Sequence, residues 1–460
     1  MIDLADAPTP ADLLPKLEDF FHLTKEKIDS LDQSYDDAQG SPVFTVQGRY
    51  TTRGWTEWTE GFRYGIAILH FDATGSESSL ESGRQRTVRR MASHVSHVGV
   101  HDHGFNNLST YGNLRRLALE GRIDANPWEQ HFYELAIKVS GAVQASRWTS
   151  HREGGFIHSF NGPHSLFVDT IRSCRILMLA HRLGHCLMGE GDRPISLLGR
   201  ALAHIESTAK YSVFYGEGRD RYDERGRTTH EAIFNITDGA YRCPNSQQGY
   251  TGFSTWTRGQ AWAILGFAEE LEFLATCSDE ELEPFGGRSH FEDLMLKAAL
   301  ATADHFLENT PTCGIPYWDT GAPGLHRLGD YLNRPADPFN PHEPVDSSAA
   351  CITAQGLLRL AHYLESTGQP AQASRYQAAG LKIAHTLFGG PYLAKAKEHQ
   401  GLVIHSIYHH PNAWDFAHSS DAAPYGESSM WGDYHAMELA VYLQRSITQA
   451  PYLTFFGPLQ

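Results

Sequence analysis

A chain of 460 residues with 41% hydrophobic and 20% charged residues carries enough apolar side chains for a large core. Its formal net charge of −16 argues against nucleic acid or an anionic membrane as partner, and any site for an anion must be locally positive. Six scattered cysteines without a Cys-x-x-Cys pair, no apolar leader at Met1–Pro10, and no run near the ~18 apolar residues of a span predict a cytoplasmic protein with reduced thiols.

In chain order, residues 11–31 predict an amphipathic helix, with Pro15 tolerable only in its first turn. A polar loop runs to about Arg53, and Trp55 to Phe62 feeds a helix ending at Thr74-Gly75. Residues 78–98 predict a charged helix; His101-Asp102-His103-Gly104-Phe105 opens another to Gly121, and 127–146 is again amphipathic. Ser165 to Thr170 leads into an apolar helix over Ile171–Leu183, with 192–209 as its partner. The Gly/Arg/Asp-rich stretch 210–253 breaks the helical period and predicts a hairpin insertion around Thr228–Ile236. Gly249 to Glu269 then starts a helix on Trp256, Arg258, Gln260 and Trp262 and continues as apolar packing. Beyond it, 290–308 is helical, 309–345 is a long loop, and Ser347–Thr367 pairs with 370–387. Residues 388–424 read as a second hairpin excursion, and Ser428–Leu443 is the last helix.

About a dozen helices with little strand make an all-α chain. Six open on an aromatic or polar cluster, near Trp58, Asp102, Asp169, Trp256, Ser347 and Ser429, and alternate with more charged ones. Repeated helix pairs of this kind predict an (α/α)6 barrel with short β-hairpin insertions, a single domain over residues 1–460. Antiparallel pairs bring all six inner N-termini to one mouth. Their unpaired N–H groups make that mouth positive, so an acidic protein can still hold a carboxylate there.

Arg258 between two indoles suits a carboxylated sugar, or simple stacking on tryptophan. Asp102 and Asp169 open inner helices among apolar neighbours, where an aspartate is either a cap or a functional acid. Two acids in one dry cavity push one of their pKa values upward. The histidines 94, 97, 101 and 103 are dense but lack metal-ligand spacing, so no metal is expected. His230, ahead of the focal helix, is placed to overhang the mouth. No nucleotide fingerprint or Gly-x-Ser-x-Gly elbow occurs, and no cofactor is called for.

Several motifs resemble the unsaturated glucuronyl hydrolases of glycoside hydrolase family 88. They are Trp-Thr-Glu-Gly-Phe (58–62), His-Asp-His-Gly-Phe (101–105), Val-Asp-Thr (168–170), Gln-Gly-Tyr…Trp-Thr-Arg-Gly-Gln-Ala-Trp (248–262), Asp-Ser-Ser-Ala-Ala (346–350) and Ser-Ser-Met-Trp-Gly-Asp-Tyr (428–434), in the family's order from about 55 to 445. The resemblance implies an (α/α)6 barrel in polysaccharide degradation that hydrates the C4=C5 vinyl ether of the unsaturated uronate left by polysaccharide lyases. By motif, Asp169 is similar to the proton donor and Asp102 to its partner. Gln248, Arg258, His230 and Trp262 resemble the sugar and carboxylate contacts, Trp58 a stacking wall, and Ser429 a further substrate contact. His158-Ser159-Phe160 stands where the family reads Arg-Ser-Trp, so Phe160 takes the stacking position, and Gln247 stands where a histidine often precedes Gln248. The expected partner is an unsaturated uronate oligosaccharide, with monomer and dimer both open. An unsaturated rhamnogalacturonan as substrate, a sugar 2-epimerase on the same barrel, and a non-catalytic sugar-binding barrel are the alternatives.

Overall fold

The computed structural model describes residues 1–53, 57–419 and 422–457; Trp55 and Thr56 of the segment before the first inner helix lie outside them. Apolar residues at helical spacing form α1 Pro10–Ser34, α2 Glu60–Thr74, α3 Glu77–Arg90, α4 Ala92–Val95, α5 His103–Asn106, α6 Asn113–Leu119, α7 Pro127–Ser146, α8 Thr170–Ser173 and α9 Arg175–Arg182. There follow α10 Leu197–Tyr211, α11 Thr257–Ala275, α12 Asp279–Leu282, α13 Arg288–Glu308, α14 Ser347–Ser366, α15 Pro370–Leu387 and α16 Met430–Ile447. Pro15 sits in the second turn of α1, later than its sequence allowed. It is exposed, so the carbonyl it leaves unbonded one turn earlier can be solvated.

Burial divides these helices into two layers. α2, α11, α14 and α16 are buried on nearly every face, whereas α1, α3, α7, α13 and α15 bury one stripe. The inner layer closes: α2 packs on α5, α5 on α8, α8 on α11, α11 on α14, α14 on α16, and α16 returns to α2. Outside it, α1 and α3 cover α2, α7 and α10 cover α9, α13 covers α11 and α15 covers α14. This is the (α/α)6 arrangement. Two inner elements are interrupted, one by a π-turn over Leu108–Gly112 and one at Cys174 between α8 and α9.

The ring interior is not purely apolar. Arg172 pairs with Glu269 at 2.8 Å and Glu438 at 2.6 Å, Arg175 with Glu269 at 3.1 Å, and Arg359 with Glu272 at 2.8 Å, all at most 4% exposed. These buried charges bridge α8, α9, α11, α14 and α16. They are tolerated because each guanidinium meets a carboxylate at hydrogen-bond distance.

The predicted insertion hairpin forms from Glu231–Phe234 and Tyr241–Asn245, and Ser165–Phe167 adds to its edge with Phe167 opposite Glu231. The expected hairpin at 388–424 does not. Among the described residues it keeps one internal antiparallel bridge, Leu393 to Val403, and one outward from Ile404 to Ser428, and is otherwise loop with two 3-10 turns. Carboxylates take the N–H groups a ladder would use: Asp433 accepts from Leu402 and Val403, and Asp415 from Tyr408 and His409. Pro391, Pro411 and Pro424 remove further donors.

Candidate active site

A cavity of about 880 Å3 opens at the N-terminal ends of the inner helices. Trp58, Asp102, Phe160, Asp169, Gln248, Arg258 and Trp262 line it, and so do His101, Tyr408 and Trp414. Asp102 precedes α5 and Asp169 precedes α8, and neither side chain makes a capping hydrogen bond. The two acids are therefore available to the cavity and are not spent on helix termini. They meet because α5 and α8 touch at Gly104, where a Cβ would lie 2.1 Å from the carbonyl oxygen of Ser173. Only glycine permits that approach.

His101 stands between the acids. Its Nδ1 lies 3.8 Å from Asp102 Oδ2 and its Nε2 3.9 Å from Asp169 Oδ1, with donor atoms of all three side chains within 4.8 Å of one another. The Phe160 N–H donates to Nδ1 at 3.3 Å, so the neutral ring carries its proton on Nε2, facing Asp169. Among the described residues neither Nε2 nor Asp169 Oδ1 has a hydrogen-bond partner. Burial raises the pKa of Asp102 above the ordinary carboxylate value, and the nearby Asp169 charge adds to the rise against His101. Burial pushes Asp169 upward too, yet the neighbouring His101, with His230 beyond it, brings it below its ordinary value. Burial likewise acts against a charged His101, but the two carboxylates prevail and hold it above the usual histidine range. Of the acid pair, the upward shift thus falls on Asp102. Among the described residues these three side chains are the one set whose donors could converge on a metal ion. A metal bound through Nε2 would have to displace the proton that the imidazole directs at Asp169.

The polar wall opposite is ordered by Arg258. Its guanidinium donates to Asp346 at 2.7 Å, Gln248 Oε1 at 2.9 Å, the Tyr408 carbonyl at 2.8 Å and the Ile407 carbonyl, and it lies against Trp256 and Trp431. Four of its five N–H groups are occupied, so Arg258 is mainly a brace. By holding Gln248 Oε1 it turns the amide NH2 outward as a donor. Asp346 in turn caps α14 through Ser348 and Ala349.

His230 is brought alongside Asp169 by sheet pairing, since Val168 N donates to the His230 carbonyl at 2.9 Å. Its Nδ1 accepts from the backbone N–H groups of Gln247 and Gln248 at 3.0 and 3.2 Å. Burial lowers its pKa to about 4, so the ring is neutral with an unpartnered N–H at Nε2. His230 stands behind the cavity wall and does not overhang the mouth. Trp58 stacks on Trp431 at 5.3 Å, Phe160 on His101 at 6.0 Å, and Trp262 packs on Phe105 at 4.8 Å. Trp262 also lies over Arg172, 6.0 Å from the ring centre, at the junction between the cavity and the buried charges.

Ser429 is not part of this wall. It is fully buried, caps α16 by accepting from Gly432 N at 3.1 Å, and bonds Ser406 at 2.6 Å. A serine before a helix serves its own backbone first. The sequence offered the histidines of 94–103 only as metal ligands or as a base for the epimerase alternative, although the adjacency of His101 to Asp102 was the signal. Tyr408 and Trp414 carried none, because they reach the cavity from an irregular loop.

Comparison with the models of known protein families finds no match. The chain is 27% identical over 413 residues to the unsaturated glucuronyl hydrolase of Bacillus sp. (strain GL1), covering 87% of this chain and 89% of that one. It is 23% identical over 393 residues to the unsaturated glucuronyl hydrolase of Formosa agariphila, covering 83% and 78%. The solved structure of the Bacillus sp. GL1 enzyme, described as responsible for the degradation of glycosaminoglycan, superposes with a TM-score of 0.70 at 24% identity over 94% of this chain and 97% of that one.

Proposed function

We infer that this chain, which is related to unsaturated glucuronyl hydrolases over more than four-fifths of its length, is a glycoside hydrolase of that type. It removes the unsaturated uronate from the non-reducing end of lyase-generated oligosaccharides, including those derived from glycosaminoglycans, by hydrating the C4=C5 double bond. One observation carries the reading: two carboxyl groups and an imidazole within 4.8 Å of one another on the wall of an aromatic-lined cavity.

The aromatic wall at Trp58 takes an apolar face of the sugar, while the Gln248 amide supplies a neutral donor for its hydroxyl or carboxylate oxygens, and His230 behind the wall positions Gln247 and Gln248 through their backbone N–H groups. Substrate binding expels water, and the substrate's own negative charge raises the proton affinity of the triad. A charged Asp169 is then worse off than its neutral form, so Asp169 takes up a proton from solvent as the substrate enters, while His101 keeps its own Nε2 proton directed at it. Asp169 delivers it to C4, leaving an oxocarbenium ion across C5 and the ring oxygen. The resulting carboxylate takes a proton from the water that adds at C5. The C5 hemiketal opens, and the neighbouring sugar leaves from C1. Asp102, which favours its protonated form, donates to a substrate hydroxyl and limits the charge beside Asp169.

Loss of the ultraviolet absorbance of the conjugated uronate, followed with lyase-made disaccharides, tests the reading. The Asp169→Asn variant should lose turnover by roughly three orders of magnitude or more and still bind substrate. Turnover unimpaired in that variant, or a chromophore that the unmodified protein leaves untouched in every uronate tried, would sink it.

A further inference from the structure

A second open cavity, of about 750 Å3, lies beside the catalytic one. Arg53, Arg89, Arg90, His94 and His97 line it, and Glu60 is the only acid in its lining. Glu60 is itself paired with Arg90 at 3.2 Å, and Arg90 also meets Asp37 at 3.4 Å. In a chain of net charge −16 three arginines around one groove, against the single acid of its lining, leave it locally positive. The two cavities meet along their rims. His97 lines both, and Arg53 donates to the carbonyl of Trp414, which lines the catalytic cavity, at 3.0 Å while its guanidinium lies 5.1 Å from that indole. Arg89 and Ser93 are exposed on the far wall, and Arg89 forms no ion pair among the described residues.

We propose that this groove binds acidic sugar residues on the reducing-end side of the bond that is broken, through their carboxylate or sulfate groups. The inference rests on the hydrolase reading above, because that reading puts the unsaturated uronate at the Asp102–Asp169 wall and sends the remainder of the chain out of the mouth. An oligosaccharide leaving past His97 and Trp414 meets Arg53, Arg90 and then Arg89. Guanidinium groups suit planar carboxylate and sulfate oxygens. Arg89 is exposed and Arg53 and Arg90 are half-buried; charges this open to solvent are screened by salt, so the groove selects among long acidic substrates without setting the rate of the chemical step.

The test compares an unsaturated disaccharide with an unsaturated tetrasaccharide carrying a second uronate, sulfated and unsulfated, on the unmodified protein and on Arg89→Glu and Ser93→Glu. Both substitutions are at exposed positions, and Ser93→Glu adds a negative charge to the groove while removing none of its cations. KM for the tetrasaccharide should rise by about three- to tenfold in each variant, with kcat and the disaccharide KM unchanged, and the rise should disappear in high salt. The larger effect between sulfated and unsulfated forms identifies the anion. Equal effects on disaccharide and tetrasaccharide, or none on either, would overturn the groove while leaving the hydrolase intact. Titration calorimetry with a saturated sulfated tetrasaccharide, which cannot be turned over, separates the two readings. Salt-sensitive binding that both variants weaken supports the groove, and absence of binding to the unmodified protein overturns it, whatever the catalytic assay shows.

Discussion

His101 accepts one backbone N–H and carries its own proton toward Asp169 Oδ1, which has no hydrogen-bond partner among the described residues. Held above the ordinary histidine range by two carboxylates, it keeps the triad protonated into neutral pH and loses that proton on the alkaline side. Substituting His101→Gln should therefore move the alkaline limb of the kcat/KM profile toward acid, since the remaining proton is held only by burial and repulsion between Asp102 and Asp169. A limb left in place would remove His101 from the proton path. Ser429 makes the opposite case. Its hydroxyl satisfies a helix terminus, so Ser429→Ala should cost about 1 kcal/mol of stability, read from chemical denaturation, with KM unchanged. A raised KM at intact stability would return Ser429 to the substrate. Both residues stood in motifs that the sequence displayed plainly. What could not be read was which partner each polar atom had already taken, as with Arg258, whose fork is nearly full before substrate arrives.

Helix existence was legible where a helix repeats its apolar residues every three to four positions over fifteen or more residues, as α11 and α14 do. The stretch 388–424 misled because short apolar runs between prolines resemble strands, while the carboxylates that claim their N–H groups come from the loop itself and from α16. Contacts between elements were equally hidden. Gly104 looks like an ordinary small residue in a motif, yet it is where α5 and α8 touch. Introducing a methyl group there by Gly104→Ala should destabilise the protein by about 1–3 kcal/mol and separate Asp102 from Asp169. The expected result is a lower Tm together with a fall in kcat larger than the loss of folded protein explains. A variant of unchanged Tm and activity would show that the backbones can part without consequence.

Across the whole molecule, buried acids set how stability follows pH. Burial raises Asp433 and Glu272 to about 7 and Asp319 to about 6. A carboxyl group whose folded pKa is raised binds more protons folded than unfolded, so it stabilises below its ordinary value and that contribution fades as pH rises through the folded one. Glu269 and Glu438 run the other way. Burial opposes their ionisation, but Arg172 and Arg175 hold them below their ordinary value, and their contribution is lost as pH falls. Buried histidines add a rise with pH: burial lowers His70 and His405 to about 4 and His204 to about 3, so they bind fewer protons folded than unfolded until about pH 6.5. Stability should therefore climb from pH 5, peak between about pH 6 and 7, and fall toward pH 8 on the order of 1.4 kcal/mol per group for each pH unit crossed within its window. Thermal melts across that range check it, with Asp433→Asn flattening the neutral-side slope. A Tm that climbs steadily from pH 5 to 8 would contradict the sign.

Sequence alone determined the helical class, the alternation of inner and outer helices, and that Asp102 and Asp169 open inner helices, because periodicity and helix-start chemistry are local properties. Only tertiary structure decided that His101 lies between the acids, that Arg258 braces where it was expected to bind, that Ser429 is a cap, and that a cationic groove adjoins the cavity. Each of these depends on contacts between residues tens to hundreds of positions apart, or on which hydrogen-bond partner wins when several are within reach. Burial and pairing energies settle that competition, and they exist only once the ring of helices has closed.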